Sequence, residues 1–245
     1  MNTVVTDAWR TIVPRADDKN GPLAPVLLSL TVVTGVVDAF SYLALGHVFV
    51  ANMTGNVVFL AFALAGATGF SLAASLVALA GFSVGALAGG RLSITFGHHR
   101  GRLLVVVGTL EVLLFATSAV VVSTVHNPGA GAARYVLIAV LSVSMGAQNA
   151  TARKLAVPDL TTTVLTMTIT GISADSRLAG GGGSQAGRRL VAALSMFVGA
   201  LLGASLLLKV SRMAAILAAL GVLCATVVIA ALLARSEPAW VRPPT

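Results

Sequence analysis

Hydrophobic positions in this chain come in long unbroken runs, and polar positions gather in short clusters between them. The apolar runs fall at about 23–45, 48–66, 71–90, 103–125, 135–152, 160–173, 190–208 and 213–233. A helix needs about 20 apolar residues to cross ~30 Å of hydrocarbon. Six of the runs have that length and purity, and predict transmembrane helices. Two do not fit. The run 160–173 is short and filled with hydroxyls, with Thr161, Thr162, Thr163, Thr166, Thr168 and Thr170. The run 48–66 opens with VFVANMTGN, which sets Asn52 and Asn56 one helical turn apart. Both predict short or re-entrant helical arms rather than spans.

The pattern also repeats itself. Gly35-Val-Val-Asp38-Ala39 matches Gly146-Ala-Gln-Asn149-Ala150, and Asn52-Met-Thr54-Gly-Asn56 lies opposite Val164-Leu-Thr166-Met-Thr168. Val84-Gly-Ala-Leu-Ala-Gly89 matches Val198-Gly-Ala-Leu-Leu-Gly203, and Gly108 answers Gly221. Each match is weak alone in a chain this rich in Ala, Gly and Val. A shared order and a nearly constant offset predict an internal duplication. Each copy reads as span, arm, span, span. The expected organisation is a tail at 1–22, membrane repeats at 23–126 and 127–233 with a flexible linker at 179–187, and a tail at 234–245.

The charges decide how the arms run. If all eight runs crossed, nine of the 16 Lys and Arg would lie on the N-terminal side and seven opposite. If the two arms dip in and return, only Arg134, Lys209 and Arg212 lie opposite and thirteen gather on one side. Basic residues collect on the cytoplasmic side of inner-membrane proteins, so the second arrangement is preferred, with both termini cytoplasmic. Each copy then holds three spans, an odd number. The second copy must enter from the opposite face, giving inverted-topology repeats, a common plan of transporters.

Composition agrees. The chain is 57% hydrophobic and 10% charged, against about 25% charged in a soluble domain. The net charge of +8 belongs to loops and tails, and no basic run interleaves with aromatics, so nucleic acid is not an expected partner. The single Cys224 gives no disulfide framework and no metal pattern. No cofactor is expected. The polar N-terminus reads as a short cytosolic tail rather than a cleavable signal.

The candidate chemistry lies in polar residues at membrane depth. Asp38 sits well inside the first span, where a carboxylate is expensive and by default functional; the competing reading is a hydrogen bond that locks helices. Asn52, Thr54, Gly55 and Asn56 in the first arm, Gln148 and Asn149 in the fifth run, and Thr163, Thr166 and Thr168 in the second arm are the other candidates for binding a solute or ion. The competing reading is that they satisfy a broken backbone. Glu111 is a second candidate for ion coupling. Arg153 and Lys154 read as interfacial anchors, and His98 and His99 as solvated. Gly81, Gly85 and Gly89, repeated at Gly199 and Gly203, predict close helix packing, either between the two halves or in a homo-oligomer. No nucleophile elbow, phosphate loop or metal-binding helix motif is present, so no enzyme activity is expected.

The order GVVDAFSYLALGHVFVANMTGNVV, MGAQNATARKL, TTTVLTMT resembles the YoaK-like family of bacterial membrane proteins, defined by domain of unknown function 1275. The resemblance covers roughly residues 25–233 and rests mainly on the segments around Asp38 and Met53-Thr54-Gly55-Asn56. The family often shows Thr-Gly at the second arm, where this chain has Thr166-Met167. The resemblance implies a multi-pass inner-membrane protein and no established substrate. The expected function is a small secondary transporter or permease with a midplane site between the arms, a lipid bilayer around it, and a small solute or ion as ligand. A non-transporting scaffold or accessory subunit is the alternative.

Overall fold

The structure, a computed structural model, describes residues 3–15, 18, 20–160, 165–175, 179–180, 185–235 and 239–242. Among them every regular element is helical: α1 (Thr3–Ile12), α2 (Leu23–Ala44), α3 (Met53–Leu64), α4 (Leu72–Phe96), α5 (Arg100–Thr124), α6 (Gly131–Leu155), α7 (Leu165–Ala174), α8 (Ala186–Lys209) and α9 (Arg212–Ala234), then a single 3₁₀ turn at Ala239–Val241. Six of these helices are long and apolar enough to cross a membrane; α3 is apolar but short. The long helices outrun the apolar segments that predict them. α4 continues past Gly90 to Phe96 and α6 begins at Gly131. Hydropathy marks where lipid begins, whereas i→i−4 bonding carries on into the interface.

Packing fixes the direction of each span. Arg100 bonds to both Asn20 and Leu155, and Trp240 packs on Gly21 and Gly101, so these residues mark one end of the bundle. Most basic residues lie at this end, which is called the basic end below. Ala44, Gly46, Gly129, Arg134 and Arg212 mark the other. Thus α2 and α5 leave the basic end, and α6 and α9 return to it. α4 runs parallel to α6, since Gly81 faces Ala139, Gly85 faces Val143 and Gly89 faces Ala147. α8 runs parallel to α2, since Gly199 faces Val32 and Gly203 faces Val36. Hence α4 starts at the end where α2 stopped, and α8 starts where α6 stopped. Neither α3 nor α7 adds a crossing.

The glycine stripes are therefore contacts inside one chain. They seat α4 on α6 and α8 on α2, the two most extensive helix pairings, and this corrects the expectation that these faces could join two copies. The physical reason is closeness: a Cβ at Gly85 would fall on the Val143 carbonyl, and one at Gly199 on the Val32 carbonyl. Gly90, one position beyond the stripe, faces open space. Gly85→Val is expected to destabilise the protein by about 1–3 kcal/mol while Gly90→Val leaves it unchanged, as read by thermal unfolding in detergent.

α2 and α6 form the buried centre, and α8 is the most lipid-exposed of the spans. Leu87, Leu113, Phe197, Leu201 and Val228 stand exposed; apolar surface of this kind is lipid-facing in a membrane bundle. The tails are more ordered than their polar sequence suggests. α1 is amphipathic, with Val5 and Trp9 exposed and Thr11 buried, and it rests against α8, where the Arg188 N–H donates to Asp7 Oδ2 at 3.1 Å. At the C-terminus Trp240 is 6% exposed. It occupies the space over Gly21, whose φ of +47° and crowded surroundings exclude any side chain.

Candidate functional site

The first arm is built around Asp38. The chain reverses at Gly46 and His47, both at positive φ, and turns back beside α2. The Val50 and Ala51 N–H groups donate to Asp38 Oδ1 at 3.0 and 2.9 Å, and the Asn52 amide donates to Oδ2. Asn56 grips Phe49 from both sides: its Oδ1 accepts the Phe49 N–H at 2.9 Å and its Nδ2 donates to the Phe49 carbonyl at 2.6 Å. Non-helical backbone at membrane depth must be satisfied by protein or water. Asp38 and Asn56 perform that task here.

α3 then returns to the face it came from, with the Gly69 carbonyl 3.0 Å from a His47 ring nitrogen. An aromatic cluster fastens the arm: Tyr42 stacks on Phe49 at 5.2 Å and Phe59 on Phe70 at 5.2 Å. Gly55 leaves room for the Phe49 ring, which would lie 2.7 Å from a Cβ there. Thr54 is exposed.

The remaining expected site residues fall in different places. In the second arm Thr163 lies outside the described residues, Thr166 is exposed and Thr168 is buried. Gly171 packs against the guanidinium of Arg189, which bridges Asp159 at 2.9 Å and Asp175 at 2.5 Å. Asn149 donates to the Met145 carbonyl one turn back. Asp38, Asn52, Asn56, Asn149 and Thr166 are not among the residues that line a cleft between the long helices; the first arm packs on α4, and Asp38, Asn52 and Asn56 are engaged in holding it.

That cleft lies between α2, α5, α6 and α9, with a cavity volume of about 10 Å³. It is narrow, on the scale of single water molecules. Leu27, Leu30, Val107 and Leu155 give it apolar walls, and Glu111, Gln148, Thr151 and Thr226 are its polar lining. Glu111 is 2% exposed and its Oε2 has no hydrogen-bond partner. Gln148 Nε2 donates to Thr34 Oγ1 at 2.8 Å, joining α6 to α2, and leaves its Oε1 unpartnered. Thr151 Oγ1 is also buried and unpartnered. Thr31, Thr34 and Thr226 bond to the carbonyl four residues back, whereas the buried hydroxyls of Ser142 and Ser144 on α6, like that of Thr151, have no partner.

Sequence reasoning did single out Glu111 and Gln148, but missed Thr151. Its signal was helical spacing: Gln148 and Thr151 are three residues apart, hence on one face.

Arg100 lies at the basic end of the bundle, bonded to Leu155 of the cleft lining. It is 3% exposed, donates from Nη1 to Asn20 Oδ1 at 3.4 Å, and donates from Nη2 to the Leu155 carbonyl. At the far end Arg212 occupies the corresponding first position of α9. It is exposed, reaches Asn127 Oδ1 at 3.5 Å, and lies beside Gly129, which packs on the Ala44 carbonyl.

Six apolar spans, two of them a buried central pair, define an all-helical, multi-pass membrane protein in contact with the lipid bilayer. More narrowly, the chain belongs to the family described as "Protein of unknown function (DUF1275)", whose match covers residues 26–230. It is 36% identical over 150 residues to the UPF0700 transmembrane protein YoaK of Bacillus subtilis (strain 168), a match spanning 61% of this chain and 65% of that protein's length. No solved structure matches.

Proposed function

We propose that the protein is a small permease of the bacterial cytoplasmic membrane, built as two inverted halves, with its basic end and both termini in the cytoplasm. The observation that carries the reading is the cleft: unpartnered oxygens of Glu111, Gln148 and Thr151 face a narrow space at membrane depth between helices of both halves. Inverted repeats place binding sites where the halves meet.

Three features support the inversion. α2 runs opposite to α6, α4 opposite to α8, and α5 opposite to α9. The pairing of α4 with α6 exchanges with that of α2 with α8 when the halves are swapped. Arg100 and Arg212, 112 residues apart, take equivalent places at the two ends. Arg100 is buried and bonded while Arg212 is exposed, the asymmetry of a carrier shut on its basic side. The excess of basic residues at that end orients it to the cytoplasm.

A non-transporting scaffold remains the second reading, favoured by the engagement of Asp38 and Asn56 in holding the first arm. Single-cysteine labelling separates the two. In a Cys224→Ser background, Thr151→Cys is expected to react with a membrane-impermeant maleimide from each face in turn as ion conditions change. A cysteine that is inert from both faces under all conditions would sink the permease and leave the scaffold.

A further inference from the structure

We infer that the cleft is a binding site for a monovalent alkali cation, held by Glu111, Gln148 and Thr151. The three lie on α5 and α6, line one cavity, and each presents a buried oxygen with no partner. An ionised carboxylate oxygen and an amide oxygen only accept hydrogen bonds. No protein donor reaches Glu111 Oε2 or Gln148 Oε1, so the cleft is a set of acceptors waiting for positive charge.

Among the described residues no basic side chain supplies it. The ion pairs among the described residues are those of Arg189 with Asp159 and Asp175. Arg100, bonded to the cleft-lining Leu155, directs Nη1 at Asn20 and Nη2 at the Leu155 carbonyl, and its buried Nε makes no hydrogen bond, to Glu111 or to any other described group.

The donor set fixes the class of ion. Carboxylate, amide and hydroxyl oxygens are hard ligands that suit alkali and alkaline-earth ions, and no His or Cys lines the cavity to favour a transition metal. A single carboxylate balances one positive charge. Ca²⁺ takes six to eight oxygens, commonly with several carboxylates, and Mg²⁺ keeps its waters in a site larger than this one. The free space matches a dehydrated alkali ion, which is about the size of a water molecule. Thr151 adds a third oxygen: its hydroxyl, unpartnered like those of Ser142 and Ser144 on the same helix, differs from theirs in lining the cavity, on the face that Gln148 shares.

As the coupling ion of the permease, the cation rests on the transport reading; as a binding site it is tested without flux. Purified protein in detergent is melted in NaCl, KCl or LiCl against choline chloride at equal ionic strength. One alkali ion is expected to raise the melting temperature by several degrees with saturating dose dependence. Glu111→Gln should abolish the shift, and Thr151→Val should move half-saturation at least fivefold higher. Identical melting in choline and all three alkali salts overturns the site, as does a Glu111→Gln variant that keeps the shift. Stabilisation that follows pH but no alkali ion assigns Glu111 to a proton and overturns it equally. The wild-type comparison decides even if a variant fails to fold. An ion effect in a protein whose Thr151→Cys cannot be labelled from either face keeps this site and removes the permease; labelling without any ion effect does the reverse.

Discussion

Asp38→Leu lowers the melting temperature of the detergent-purified protein by about 10 °C or more, while Asp38→Asn lowers it by only a few degrees. Leucine removes the acceptor for the Val50 and Ala51 N–H groups, and both residues are buried. Each buried donor left without a partner costs about 1–3 kcal/mol, and the Asn52 amide loses its anchor as well. At roughly 2–4 °C per kcal/mol for a chain of this size, the sum is a large fall. Asparagine keeps one oxygen for the two backbone donors, and a flip of the Asn52 amide restores the second contact. The contrast between the variants is the informative part. Equal damage from both would mean that the charge of Asp38, not its capacity to accept, is what the protein uses, and would return it to the list of ion-binding groups.

The second large effect is at Arg100. Arg100→Ala, combined with Thr151→Cys in the Cys224→Ser background, raises labelling from the basic face at least tenfold. The guanidinium ties the start of α5 to the last carbonyl of α6 and to Asn20 ahead of α2, so three of the four helices around the cleft are fastened through one side chain. Truncation removes those bonds and the bulk above Leu155. Arg100→Lys keeps charge but not the fork, and should fall between the two. Unchanged labelling in Arg100→Ala would show that Trp240 and the helix ends seal the cleft without it.

Much of this architecture could be read from the chain. Runs of apolar residues located the six spans, because the bilayer imposes a length that sequence displays directly. The basic residues separated crossing from returning arms, and the directions of α4 and α8 agree with that choice. The glycine spacing identified which faces approach closely. It could not say which helix each face would meet, since a stripe of small residues carries no address; Val143 and Val32 offer only their carbonyls, which every residue has.

The site was half legible. Glu111 and Gln148 stood out as polar atoms in apolar runs, but Asp38 stood out more and is engaged with the first arm. Sequence shows that a carboxylate is buried, not whether backbone N–H groups surround it. Thr151 was overlooked beside Arg153 and Lys154, and the use of α1 and Trp240 as packing elements was hidden by their polar neighbours.

The parallel pairing of α4 with α6 and of α2 with α8 also bears on how the chain is made. Each close helix contact joins a segment synthesised early to one synthesised late. When the ribosome has delivered only α2 to α5, the face of α2 around Gly35 and the stripe on α4 have nothing to lie against. The first half alone therefore leaves these two faces without their partners, which only α6 and α8 supply.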